Sequence, residues 1–135
     1  MCRNRQRKSF LLHYQCKNYT ENKIINCVSG SIFNVVIDLR KSSKTFGKVF
    51  SILLSRKNAL GLYIPAGFAH AYYSIEKENI IYYKLDNYYN PRCESGINYK
   101  DTSLKLKFPK KKMILSQKDK RLMSFKEFKR KFKSL

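Results

Sequence analysis

The chain has 135 residues, a formal net charge of +20, 43% hydrophobic residues, ten Tyr and nine Phe. That length provides one domain with a real core and no room for a second, and the aromatic content argues against an intrinsically disordered chain. No apolar run approaches the ~20 residues of a membrane-spanning helix, so no membrane partner is expected, while the charge calls for a polyanionic partner or a multiply negative ligand.

Residues 1–8 are polar and basic and are expected to be disordered. The apolar run that follows is too short for a signal peptide, so a cytoplasmic location is expected. Residues 9–15, Ser-Phe-Leu-Leu-His-Tyr-Gln, predict a short strand containing His13, and residues 16–22 a polar loop. Residues 23–28 and 31–39 are β-rich runs separated by Ser29-Gly30, a hairpin signal. The second run is almost continuously apolar, as in a strand covered on both faces. A basic, serine-containing loop over 40–47 leads to a strand over 48–54 and a turn over 55–59. Further strands are predicted over 60–64, 68–75 and 79–85, with Glu76-Lys77-Glu78 as a charged turn. Between the first two, Pro65-Ala66-Gly67 reads as a tight turn, because Pro fixes φ and Gly tolerates φ > 0. Residues 86–95 form a structured loop. Short strands with little helix point to an all-β sandwich or barrel.

From residue 104 onward, thirteen Lys or Arg stand against Asp119 and Glu127 alone. Leu122, Phe125, Phe128, Phe132 and Leu135 recur at three- and four-residue steps. The basic tail over 116–135 therefore predicts a short amphipathic C-terminal helix, with Ser124 and Glu127 spaced as a capping box. Cys2, Cys16, Cys27 and Cys93 lack the spacing of a zinc site or a disulfide framework and are expected as reduced thiols.

The run Gly61-Leu-Tyr-Ile-Pro-Ala-Gly-Phe-Ala-His70 resembles the second sequence motif of the cupin β-barrels. A metal-binding cupin needs a His-x-His pair and a Glu in its first motif besides this histidine. Only His13 and His70 are present, so no metal is expected. Two histidines in a barrel without metal point to proton transfer. Removing a proton beside a ketone needs a base, a donor on the opposite face and a cation for the enolate oxygen. His13, Tyr83 and Lys23 are candidates for those three tasks.

Five ordered stretches identify a family. Val28-Ser-Gly-Ser-Ile-Phe-Asn-Val-Val-Ile-Asp-Leu-Arg-Lys-Ser-Ser-Lys-Thr-Phe-Gly47, Ile64-Pro-Ala-Gly-Phe-Ala-His70, Tyr83-Lys-Leu-Asp-Asn-Tyr-Tyr-Asn-Pro91, Glu94-Ser-Gly-Ile97 and Ile114-Leu-Ser-Gln-Lys-Asp119 resemble the signatures of the dTDP-4-dehydrorhamnose 3,5-epimerases, the deoxysugar-epimerase branch of the cupins. The resemblance runs from about His13 to Asp119. It implies a single all-β, cupin-type jelly-roll domain with a short C-terminal helix. It also implies epimerisation at C3 and C5 of dTDP-4-dehydro-6-deoxy-D-glucose, in dTDP-L-rhamnose biosynthesis. His13 falls on the family's proton acceptor, Tyr83 on its donor and Asp119 on the carboxylate that orients the histidine. Lys23, His70, Glu94 and Lys118 fall on substrate-contacting positions. No cofactor is implied, because the C4 ketone already acidifies both protons. The substrate's diphosphate gives one reason for a basic site, although one diphosphate does not require +20.

Three features depart from the family pattern. Phe10-Leu11-Leu12 stands where relatives have Arg-Gly-Leu, and phenylalanine cannot replace a bidentate cation on the nucleotide. Asn34 stands where relatives usually have Asp. The family's N-terminal strands, exchanged across a homodimer, are expected to be missing before Met1, which leaves dimerisation open and predicts impaired activity. The alternatives are an epimerase acting at one carbon or on another nucleotide sugar, and a non-catalytic nucleic-acid binder. The binder would use Lys110-Lys111-Lys112 and the interleaved Phe125, Phe128 and Phe132; nucleic-acid binding is otherwise expected only as non-specific attraction.

Overall fold

A computed structural model of the chain describes residues 2–4, 9–108, 117 and 119–132. Nine strands follow in order: β1 (Cys2–Asn4), β2 (Ser9–Gln15), β3 (Lys23–Ser29), β4 (Ser31–Asp38), β5 (Val49–Ser55), β6 (Gly61–Ile64), β7 (Phe68–Ser74), β8 (Asn79–Leu85) and β9 (Glu94–Gly96). One helix, α1 (Phe125–Lys131), comes last. The strands form a four-stranded sheet, β1-β8-β3-β6, and a five-stranded sheet, β5-β4-β7-β2-β9. All their pairings are antiparallel. The two sheets pack face to face over Ile25, Cys27, Ile32, Val36, Leu54, Ile64 and Ile81, to which both contribute. This is the jelly-roll barrel with a short C-terminal helix that the sequence implies.

The pleat of β4 explains its continuous apolar run. Ile32 and Val36 face the other sheet, whereas Val35 and Ile37 face a second core containing Leu12, Tyr14, Ala69, Ala71, Phe125 and Phe128. Alternate residues point to opposite faces, and here both faces are covered. Helix α1 closes the second core. Its N-cap is Ser124, with the reciprocal Ser124–Glu127 capping box formed. Phe125 and Phe128 are 7% and 0% exposed, so they pack the protein and are not free to stack on bases. Lys110-Lys111-Lys112 lie outside the described residues.

Two expectations are corrected. Ser29-Gly30 does not make a hairpin, because β3 and β4 belong to different sheets. Gly30 instead turns a corner at φ +79°, where a Cβ would lie 2.6 Å from the Glu78 carbonyl. The Ser31 backbone N–H is taken by Asn79 Oδ1 at 2.9 Å, so a long-range side chain sets this corner. Cys2–Asn4, expected as disordered, form β1 on the edge of β8, with Cys2 opposite Ile81. An open strand edge offers unpaired backbone groups, and a short polar segment can satisfy them without any apolar pattern. Residues 1 and 5–8 lie outside the described ones. Among the described residues Cys27 and Cys93 are free thiols, and no helix is long and apolar enough to cross a membrane.

The longest signature stretch is structural. The Asp38 carboxylate accepts from the Arg40 backbone N–H, Nε and Nη2 at 2.9–3.0 Å and from the Ser43 and Thr45 hydroxyls at 2.6 Å. Burial pushes this carboxyl up, but those donors outweigh it and hold the group well below the usual carboxylate range. The Arg40 side chain lies over the Phe68 ring. It also packs against Gly67, where φ is +86° and a Cβ would sit 2.5 Å from Arg40 Cγ. The Leu39 N–H bonds the Gly67 carbonyl at 3.0 Å. The Pro-Ala-Gly turn is thereby clamped to the Asp38 loop, which sets where β7 and its histidine begin.

Candidate active site

Strand register brings the two histidines together. His13 on β2 lies directly opposite His70 on β7, and opposite Gly96 on β9. Leu12 and Tyr14 face the α1 core, so the pleat turns His13 and Gln15 the other way, into the barrel. On the facing sheet Ile25 of β3 pairs with Tyr83 of β8, and Lys23 with Leu85. These inward residues line a cavity of about 520 Å³ together with His13, His70, Glu94, Glu21, Tyr72 and Tyr89. Histidines therefore stand on one wall, and the lysine and phenol on the other.

His13 is 5% exposed. Its Nε2 lies 2.7 Å from Asp119 Oδ1, and its Nδ1 lies 3.0 Å from Glu94 Oε1. Asp119 reaches the ring from the 3-10 turn Asp119–Arg121. Glu94 also accepts from the Tyr89 hydroxyl at 2.6 Å through Oε2. The imidazole is thus held between two carboxylates, which fix its plane and orientation. Of the residues expected from the sequence, His13, Tyr83, Lys23, His70 and Glu94 line one cavity, and Asp119 supports His13 from behind. Glu94, expected at the substrate, touches the imidazole directly. Lys118 lies outside the described residues, as does the side chain of Phe10.

His70 has a different environment. Its Nε2 is 3.0 Å from Oδ1 of Asn34, which is fully buried, and the Asn34 amide nitrogen donates to the Ile32 carbonyl at 3.4 Å. Burial, reinforced by the nearby Lys23 ammonium, pushes His70 down to about 3. Asn34 has the size of an aspartate but no charge with which to hold a proton on the ring. His70 is therefore a neutral hydrogen-bonding group at neutral pH.

This has a stability consequence. The folded value lies below the ~6.5 of an unfolded histidine, so between pH 6.5 and 3 the unfolded chain binds the extra proton. Stability from this group is complete above pH 6.5 and is lost at up to ~1.4 kcal/mol per pH unit as pH falls toward 3. Urea unfolding at pH 6.5 and 4.5 is expected to show wild type losing about 2 kcal/mol more than His70→Gln. Equal losses in the two proteins would show that His70 protonates in the fold.

The sequence did not single out Glu21. It is 8% exposed, lies two residues before Lys23, and its Oε1 is 2.8 Å from Lys23 Nζ. The i, i+2 spacing of an acid and a base was the only available signal, and it sat within a stretch read as a polar loop. Tyr72 and Tyr89 also went unassigned, since tyrosine on a strand or loop carries no positional signature.

A family model described as dTDP-4-dehydrorhamnose 3,5-epimerase matches residues 4–127. The dTDP-4-dehydrorhamnose 3,5-epimerase of Shigella flexneri is 42% identical over 108 residues, covering 80% of this chain and 60% of the relative. The chain spans about 60% of the length of these curated relatives. Among solved structures, the dTDP-4-dehydrorhamnose 3,5-epimerase of Elizabethkingia anophelis superposes with a TM-score of 0.87 at 34% identity, covering 93% of this chain and 70% of that one. The dTDP-6-deoxy-D-glucose-3,5-epimerase of Legionella pneumophila, solved with dTDP-4-keto-L-rhamnose, gives 0.85 at 33%, covering 91% and 65%.

Proposed function

The chain belongs to the dTDP-4-dehydrorhamnose 3,5-epimerase family, and we propose that it is a cofactor-independent isomerase inverting C3 and C5 of dTDP-4-dehydro-6-deoxy-D-glucose, as in dTDP-L-rhamnose biosynthesis. One observation carries the reading: a buried imidazole clasped by two carboxylates faces a lysine and a tyrosine across the same cavity. That arrangement matches the needs of proton transfer beside a ketone.

In this reading His13 takes the proton from C3 or C5. The C–H electron pair moves toward the C4 carbonyl, which becomes an enolate, and the Lys23 ammonium stabilises the oxygen. The Tyr83 hydroxyl gives its proton to the opposite face of the same carbon, completing the inversion. Phenolate and imidazolium then exchange protons with water and return to their starting forms. Substrate and product are isomers, so no electrons are gained or lost. Asp119 holds Nε2, which leaves Nδ1 to meet the C–H bond; the entering sugar displaces Glu94 from that nitrogen. Neutral His70 accepts or donates a hydrogen bond to the sugar without competing for its proton.

Wild type in D2O is expected to incorporate deuterium at both C3 and C5 of the 4-keto sugar. Incorporation at one carbon would identify a single-carbon epimerase, and none at either would sink the epimerase reading. Tyr83→Phe is expected to separate the two half-reactions. Deuterium still enters through His13, but inverted product forms at least about 100-fold more slowly. Inversion at the wild-type rate would remove Tyr83 from the mechanism.

A further inference from the structure

We propose that Glu21 is a specificity-determining residue of this site: it anchors the Lys23 ammonium with one carboxylate oxygen and accepts a hydrogen bond from a sugar hydroxyl with the other. The proposal rests on the epimerase reading above. Oε1 makes the 2.8 Å ion pair with Lys23. Oε2 is buried and has no hydrogen-bond partner among the described residues, although Glu21 lines the cavity. A buried carboxylate oxygen without a donor carries a desolvation penalty, and a ligand that brings a donor removes it.

The bound sugar decides which donor fits. Its ketone and diphosphate only accept hydrogen bonds, while its ring hydroxyls donate. Lys23 is the residue assigned to the C4 oxygen, and the other oxygen of the carboxylate paired with it lies close by. The hydroxyl next to that ketone, on C3, is therefore the group within reach. An ammonium has three donors; Glu21 occupies one and leaves two for the enolate oxygen and its surroundings. Because C3 is itself a reacting carbon, the same contact also sets how that carbon is presented to His13.

The test compares the 4-keto-6-deoxy sugar nucleotide with its 3-deoxy analogue. Both keep the C5 proton and the ketone, so C5 deuterium exchange can be followed for each. Wild type is expected to favour the hydroxylated sugar in kcat/KM by about 10-fold or more, as for a hydrogen bond to a charged group. In Glu21→Ala the preference should fall to within about 3-fold, and Glu21→Gln, which keeps an acceptor oxygen, should restore part of it. A residue that only balanced the charge of Lys23 would slow both sugars equally and leave the preference intact; that result overturns the proposal. A wild type without preference overturns it too, whether or not the variants fold. A wild type without exchange on either sugar sinks the epimerase reading and takes this assignment with it.

Discussion

His13→Ala is expected to slow deuterium exchange at C3 and C5 by about 100- to 10,000-fold, the range for loss of a general base. The other imidazole lining the cavity is a poor replacement. His70 lies alongside, but burial holds it down to about 3, and its Nε2 is engaged by Asn34 at 3.0 Å. A base that weak removes few protons from a carbon acid. Alanine also leaves Asp119 and Glu94 without the ring that separates them, so a loss of stability is expected beside the loss of rate. His13→Asn retains a polar group between the carboxylates and serves as the control for folding. Exchange near the wild-type rate in a folded His13→Asn would remove His13 from the proton-accepting role.

Phe128→Ala is expected to cost about 3–5 kcal/mol of unfolding free energy, the usual range for emptying a fully buried phenylalanine site. The Phe128 ring is 0% exposed. It meets Tyr14 edge-on at 5.6 Å between centroids and stacks on Phe125 at 6.2 Å and Phe132 at 5.3 Å. Tyr14 is the neighbour of His13 on β2 and points to the opposite face, so the helix core braces the strand that carries His13. Asp119, which reaches the His13 imidazole, lies shortly before the helix. A loss below 1 kcal/mol in urea unfolding would mean that α1 does not belong to the cooperative core.

Legibility differed from element to element. The strands over 9–15 and 79–85 were read with the bounds observed for β2 and β8, because β-rich residues and flanking turns are local signals. The capping box at Ser124 was equally local. Ser29-Gly30 misled because a tight turn joins strands of one sheet or of two with much the same residues, and the choice fell to Asn79, 48 positions away. The segments β1 and β9 carried no strand pattern. They are three-residue strands whose stability comes from the edges of β8 and β2.

By itself the sequence determined the family, the barrel, and the residues that meet in the candidate site, since motif order and strand chemistry are properties of the chain read locally. Tertiary structure alone decided what those residues do to one another. The His13–His70 register, the 106-residue separation bridged between His13 and Asp119, and the burial that leaves His70 neutral all depend on strands meeting across the fold. The Asp38-Leu-Arg-Lys-Ser-Ser stretch, prominent as a motif, proved to be a loop clamp that positions β7. Glu21, which carried no motif, proved to be a buried carboxylate lining the cavity, with one oxygen unpartnered among the described residues. Burial and hydrogen-bond satisfaction set protonation and recognition, and neither is defined until the two sheets close on each other.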